Sequence, residues 1–325
     1  MASSATISVI IPVKNEEAGI GTLLEFLMNA LPYDKEVILM DGRSTDRTRE
    51  IIAEFTARNP KIRMIDNPHG FVPFALNAAI QSSSADYIIR LDAHTEYAPD
   101  YFLKVLETFE KSGAEIVGGP MRAIGKTDLQ KSIAYCTSTP FGVGDSSFHD
   151  ENAEGFVDSV YLGAWRRSIF PIVGFFDEEM LRNQDDEFHY RAKSKGMKIY
   201  LNPEIRSLYY PRSTYSSLFK QYFQYGLFKP LVLKKVKSGI RIRHLVPACF
   251  FLYCLALPFA YYLLNWLVLI PLFLYLLLDL KFASNAPGNL KVKLHSLLVY
   301  PTLHFSYGYG FIAGLFGLQS RFLKK

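Results

Sequence analysis

Acidic residues are missing from Arg206 to Arg243, a stretch that holds nine Lys or Arg and no Asp or Glu. Charge of either sign is missing from Leu245 to Leu278, and Ser296 to Leu318 has none beyond the potential charge of His304. Both uncharged runs are long enough to span a bilayer. A basic block directly before an apolar segment favours the cytoplasmic side and anionic headgroups. No recognised nucleic-acid module accompanies it, so nucleic acid is set aside as a partner. Cys136, Cys249 and Cys254 lack the spacing of a metal or redox pair, and nothing here demands an oxidising compartment. The N-terminus also lacks a basic segment followed by a long apolar one. Ile7 to Ile11 is too short and ends at Pro12, so the first 240 residues are expected in the cytoplasm.

What is present first is an alternation of strand and helix. Ile7 to Pro12 reads as a strand. Glu16 and Glu17 are expected to open a helix, with Leu23, Leu24, Leu27 and Leu31 on its apolar face and Pro32 as its stop. Glu36 to Met40 is a second strand, and Asp41 to Asp46 is a turn into a helix striped by Ile51, Ile52 and Phe55. A strand at Ile62 to Ile65, a helix near Phe74 to Ile80 and a strand over Tyr87 to Leu91 follow. A helix from about Pro99 to Lys111 and a strand from Glu115 to Gly118 complete the series. The alternation predicts an α/β fold with a mostly parallel sheet and helices on both faces. Gly125 to Gly155 is a mixed connection with one helix near Leu129 to Tyr135, and Asn183 is positioned to cap a helix that runs to Lys195.

The apolar tail requires arithmetic. Thirty-four uncharged residues in one helix would measure roughly 51 Å against a hydrocarbon core of roughly 30 Å. Two short spans turning near Asn265 fit better. The division is therefore a catalytic region 1–205, basic aromatic interfacial helices 206–244 interrupted by Gly226 and Pro230, and a membrane region 245–325. Within it, spans are expected at about 245–264 and 266–282, with a third span or re-entrant segment at about 296–318. A full third span leaves Arg321, Lys324 and Lys325 outside, against the positive-inside tendency; a re-entrant one does not. Gly310 and Gly314, four apart, would let that segment approach another helix closely.

Three acidic positions fall at strand ends or a helix start. Asp92 and His94 follow the Tyr87 to Leu91 strand, where ligands of open α/β sheets bind. Together they read as a site for a divalent cation that takes further oxygens from a substrate diphosphate; the plainer alternative is a capping Asp and a surface His. Asp41 could accept a hydrogen bond from a nucleobase N–H, or simply form an Asp-Gly turn. Asp185 could serve as general base. Asp186 and Glu187 share its helix turn, where acids are favoured anyway, and charge alone does not choose among them. Arg90 could reach a phosphate or form the polar face of its strand, while His149 and His189 are expected at the surface.

The motifs that stand out are Ile10 to Glu16, Met40 to Asp46, Ala75 to Ile80, Arg90 to His94, Gly174 to Glu178 and Asn183 to Glu187. In these the chain resembles family 2 glycosyltransferases of the GT-A (Rossmann-like) fold, in particular the succinoglycan-biosynthesis type of membrane glycosyltransferase. His304, Tyr307, Gly308, Gly310 and Phe311 extend the likeness into the tail. The resemblance implies that Pro12, Glu16 and Asp41 line a nucleotide pocket, that Asp92 with His94 binds Mn²⁺ or Mg²⁺, and that Asp185 is the base. Where the family has a Glu-Asp pair this chain has Gln184-Asp185, and His94 stands where many relatives have Asp. The implied enzyme is an inverting, multi-pass membrane transferase with a cytoplasmic catalytic domain. Its donor would be a nucleotide-diphosphate sugar, best matched by a UDP-sugar, and its acceptor a lipid-linked saccharide or polyprenyl carrier. A polyprenyl-phosphate glycosyl synthase and a silent membrane scaffold are the rivals. Gln221 to Tyr225 lacks the Arg-Trp of processive synthases.

Overall fold

The computed structural model describes residues 6–237 and 241–323. Lys324 and Lys325, expected beyond the last apolar segment, lie outside the described residues, as do positions 1–5 and 238–240 of the expected catalytic and interfacial regions. By contacts the chain forms two units: residues up to Arg122 with Asp150–Tyr209, and Ala123–His149 with the chain from Tyr210 onward. The segment 123–149, expected within the catalytic region 1–205, groups instead with the C-terminal helices.

The first unit is built on an eight-stranded sheet. Its strands are β1 (Ile7–Val13), β2 (Lys35–Asp41), β3 (Ile62–Asp66), β4 (Tyr87–Arg90), β6 (Ile116–Gly119), β8 (Gly155–Phe156), β9 (Tyr161–Arg166) and β10 (Ile199–Leu201), in the order β3-β2-β1-β4-β9-β6-β10-β8. β3, β2, β1 and β4 run parallel. β9 is antiparallel to both of its neighbours, and β8 is antiparallel to β10. The mostly parallel sheet is thus a mixed one, because β9 enters between β4 and β6 in the opposite direction. A second, three-stranded sheet in the order β5 (Thr95–Tyr97), β11 (Ser207–Tyr209), β7 (Arg122–Ala123) lies outside this one, with β5 and β11 antiparallel. The central strands are apolar on both faces, as strands covered by helices on each side must be, and Ile11, Leu39, Ile89 and Val117 are fully buried.

Helices α1 (Ile20–Asn29), α2 (Thr48–Arg58), α3 (Val72–Ser82) and α4 (Tyr101–Ser112) connect the strands up to β6. α1 buries Ile20, Leu23, Leu24 and Leu27, the stripe expected from its spacing. Glu16 and Glu17 do not open it. They lie in the preceding turn, where the Glu16 carbonyl accepts from Gly19 and Ile20, while the Glu16 N–H and the Glu17 carboxylate bond to Thr48 and Arg47 at the α2 entry.

In the second unit, α5 (Asp128–Cys136) falls where the Leu129 to Tyr135 helix was expected, opened by a Thr127–Gln130 capping box, and α6 (Pro140–Val143) is a single turn. Gly226 and Pro230 do not interrupt the interfacial segment. α9 (Tyr215–Lys235) runs through both. The reason is packing: a Cβ at Gly226 would lie 2.1 Å from the Tyr307 carbonyl oxygen of α12 (Leu290–Leu315), and one at Gly310 would lie 2.1 Å from that of Phe223. Glycine at each position lets the two backbones touch, the close approach expected of Gly310 and Gly314. The chain between them turns at Asn265, which ends α10 (Val246–Leu264) and precedes α11 (Ile270–Ser284). Among the described residues, Ile242–Leu264 and Trp266–Ser284 are the two helices long and apolar enough to cross a bilayer. Only 6% and 11% of their apolar windows are buried within the protein, so neither resembles a core helix. α12 covers the segment where a third span or re-entrant element was expected and buries Ser296, Val299, Tyr300, Leu303 and Ser306.

Candidate active site

The carboxyl ends of β1, β2, β3 and β4 carry loops that meet over one cleft. Two of the motifs are stitched together there by side chains. Asn15 N–H donates to Ser44 Oγ at 2.9 Å, Thr45 N–H to Asn15 Oδ1 at 2.8 Å and Glu16 N–H to Thr48 Oγ1 at 2.7 Å. Glu17 accepts from the Arg47 N–H, which leads into α2. Polar residues in these loops thus satisfy backbone donors that no strand or helix pairs.

Pro12, Glu16, Asp92 and His94 line this cleft, together with Lys14, Gly42, Asn67, Phe71 and Arg90. Asp41 sits differently from expectation. Its side chain is closed to solvent, and its oxygens already accept from Arg49 Nη1 at 2.5 Å and from the Ser44 N–H at 3.3 Å. A nucleobase N–H would have to share or displace these donors. Arg49 also binds Asp66 at 2.8 Å, so the ends of β2 and β3 are tied through one guanidinium. Nothing local in the sequence signals this, because Arg49 lies in the first turn of the next helix.

Asp92 is held by its own turn. Its N–H donates to the Tyr97 hydroxyl at 2.7 Å, and that hydroxyl donates to the Asp92 carbonyl oxygen at 3.2 Å. Burial, and then the Asp92 charge, hold the Tyr97 pKa well above its ordinary value, which keeps the hydroxyl a donor. His94 is half exposed, with Nδ1 3.4 Å from Glu16 Oε1.

Arg90 ties this turn to Asp185. Its Nη1 donates to both Asp185 oxygens at 2.9 and 2.8 Å, while Nε donates to Asp92 Oδ1 at 3.2 Å and Nη2 to Asp92 Oδ2 at 3.5 Å. Burial alone would lower the Arg90 pKa; the carboxylates of Asp185 and Asp92 outweigh it and raise the pKa above its ordinary value. From sequence alone Arg90 suits either a phosphate contact or a strand face. A charge at the end of a buried apolar strand was the available signal that a partner exists.

Asp185 is in the first turn of α8 (Gln184–Ser194), and the three acids there now separate. Glu187 is buried and paired with Arg191 at 2.7 Å, and Arg191 also donates to the Val173 and Phe175 carbonyl oxygens. Asp185 is the acid joined to the Asp92 turn. Asn183 precedes the helix as expected but makes no side-chain cap, its backbone being left-handed at φ 57°. His189 is not at the surface: it is fully buried one turn after Asp185, with Nδ1 2.8 Å from Ser159 Oγ. Burial pushes its pKa below the ordinary value despite Asp185 and Asp186, which favours the neutral imidazole. The Asn77 side chain of α3 accepts from Phe176 N–H and donates to the Phe176 carbonyl, both at 2.9 Å, which fixes the loop leading to α8.

Among the described residues no three His, Cys, Asp or Glu side chains gather to hold a metal by themselves. A hard divalent cation of the magnesium type needs only one or two protein ligands, because water and substrate phosphates complete its shell. Asp92 and His94 on the cleft wall offer such a partial donor set.

The pattern of "Glycosyl transferase family 2" matches residues 8–170, which include the cleft-facing loops of β1 to β4. The chain belongs to this family and is a glycosyltransferase. The succinoglycan biosynthesis protein ExoA of Rhizobium meliloti (strain 1021) is 30% identical over 276 residues, covering 83% of this chain and 82% of that protein. A dolichyl N-acetyl-α-D-glucosaminyl phosphate 3-β-D-2,3-diacetamido-2,3-dideoxy-β-D-glucuronosyltransferase of Methanococcus voltae is 31% identical, covering 70% of this chain and 74% of its own. In structure the chain is similar to a mannosyltransferase from Pyrobaculum calidifontis in complex with GDP-Man and Mn²⁺, with a TM-score of 0.61, 15% identity and coverage of 97% and 88%. The fold is GT-A.

Proposed function

We propose that this protein transfers a sugar, with inversion, from a nucleotide-diphosphate sugar to a lipid-linked saccharide or polyprenyl acceptor at the cytoplasmic face of a membrane. The observation that carries this reading is the convergence of Asp92 and Asp185 on Arg90 beside a cleft lined by Pro12 and Glu16. Asp185 accepts the proton of the acceptor hydroxyl as its oxygen bonds to the anomeric carbon and the bond to the diphosphate breaks. Pro12 and Glu16 form the nucleotide side, and Asp41 would join it where a nucleobase N–H shares or displaces its Arg49 and Ser44 donors. Asp92 and His94 would hold Mn²⁺ or Mg²⁺, which when bound neutralises charge building on the departing diphosphate. A UDP-sugar is the donor class we assign. Two features support a lipid-linked acceptor. The Methanococcus relative is named for a dolichyl phosphate substrate, and the chain exposes two bilayer-length apolar helices that suit a multi-pass anchor.

The test is release of nucleotide from UDP-, GDP- and TDP-sugars by the full chain in lipid, with Mn²⁺, Mg²⁺ or chelator, and with host membrane extract as acceptor source. Turnover of a UDP-sugar that chelator abolishes and extract stimulates is expected. Turnover untouched by chelator removes the metal, preference for another nucleotide removes the UDP assignment, and no turnover with any donor overturns the reading.

A further inference from the structure

Arg90 is almost fully enclosed, its side chain only 8% exposed, yet it stands at the wall of the cleft. Two explanations compete: it reaches out to a substrate phosphate, or it serves the protein's own carboxylates. The hydrogen bonds favour the second. Nε, Nη1 and Nη2 are each engaged by Asp92 or Asp185, and the Tyr161 hydroxyl is a further group close enough to feel the charge. The two arms are unequal. The Asp185 contacts are 2.8 and 2.9 Å, whereas those to Asp92 are 3.2 and 3.5 Å. The guanidinium is therefore anchored on Asp185 and leans on Asp92, so a ligand that draws on Asp92 competes with the weaker arm. Asp185 lies 95 residues further along the chain, at the start of α8. Arg90 joins that carboxylate to the β4 turn, and a further donor near it is Gln184 Nε2 at 3.5 Å.

We infer that Arg90 is a positioning residue that holds Asp185 in register with Asp92 and does not itself bind the donor phosphates. This rests on the reading of Asp185 as base and Asp92 as metal ligand. A guanidinium can serve two carboxylates from one planar group; an ammonium is a point charge and cannot reproduce that geometry.

The test uses the full chain in lipid, with calorimetric binding of UDP in Mn²⁺ beside turnover of the best UDP-sugar. R90Q is expected to lower kcat by roughly 10²-fold or more, while donor KM and UDP affinity stay within about threefold of wild type. R90K should recover part of the lost kcat and also guards against an R90Q chain that fails to fold. In the double variant R90Q/D185N, turnover should fall no more than about threefold below D185N alone, since residues that act as a unit are not additive. A tenfold or greater loss of UDP affinity in R90Q makes Arg90 a phosphate ligand and overturns the proposal, and this arm needs no turnover. Unchanged kcat in folded R90Q, or losses that multiply with those of D185N, also overturns it. Wild-type turnover in D185N itself sinks the base assignment, a failure distinct from a slow D185N beside a fast R90Q.

Discussion

Glu187 and Asp185 are two residues apart on one helix turn, and their surroundings give them opposite consequences. Glu187 is enclosed with Arg191, and removing one member of a buried pair leaves the other's charge without compensation. Arg191 keeps its two carbonyl acceptors, so Glu187→Gln should cost at or below the low end of the roughly 3–5 kcal/mol such losses carry. Denaturant unfolding would measure it. Turnover per folded molecule should stay near wild type, and a large loss there would move the base assignment towards Glu187. At Asp92 the expectation reverses. Asp92→Ala should leave the fold intact and abolish Mn²⁺-dependent UDP binding; binding that persists would place the metal elsewhere. Asp92 and Asp185 were identifiable as candidates because acids at strand ends and helix starts follow from local turn chemistry. Which of three neighbouring acids pairs with Arg90 was not, since all three suit a helix first turn equally.

Elements are joined at two places by residues that look unremarkable in sequence. Asn77 links α3 to the loop before α8 with hydrogen bonds to both backbone groups of Phe176 and to Glu178. Asn77→Ala would leave those buried backbone groups unpaired, at a cost of roughly 1–3 kcal/mol. A lowered denaturant midpoint and faster proteolysis between Gly174 and Asn183 are the expected readouts; an unchanged loop would show that Asn77 does not hold it. Gly226 joins α9 to α12, where a side chain would meet the Tyr307 carbonyl. Gly226→Val should destabilise the second unit by roughly 1–3 kcal/mol or more through overpacking. Normal protease resistance of α9 and α12 in that variant would refute the contact. Gly226 was read from sequence as an interruption because glycine weakens isolated helices. Close packing against a second helix reverses that inference, and the second helix lies some eighty residues away.

For the molecule as a whole, the exposed apolar helices α10 and α11 predict where it resides. They are nearly unburied within the protein, and apolar surface on that scale is stable only in contact with lipid or another apolar partner. The chain should stay with the membrane pellet through alkaline carbonate and leave it only in detergent; recovery in the carbonate supernatant would end the multi-pass reading. The α/β alternation, the strand ends that carry Asp41 and Asp92, and the apolar length of α10 and α11 were determined by the sequence alone. Periodicity, turn residues and uncharged runs are local properties, and they act over a few residues at a time. Tertiary structure alone decided that β9 enters the sheet antiparallel, that 123–149 joins the C-terminal helices, that His189 is buried, and that Arg90 spans Asp92 and Asp185. Each of these depends on segments far apart in the chain being packed together, and that is settled by burial and by the pairing of buried charge.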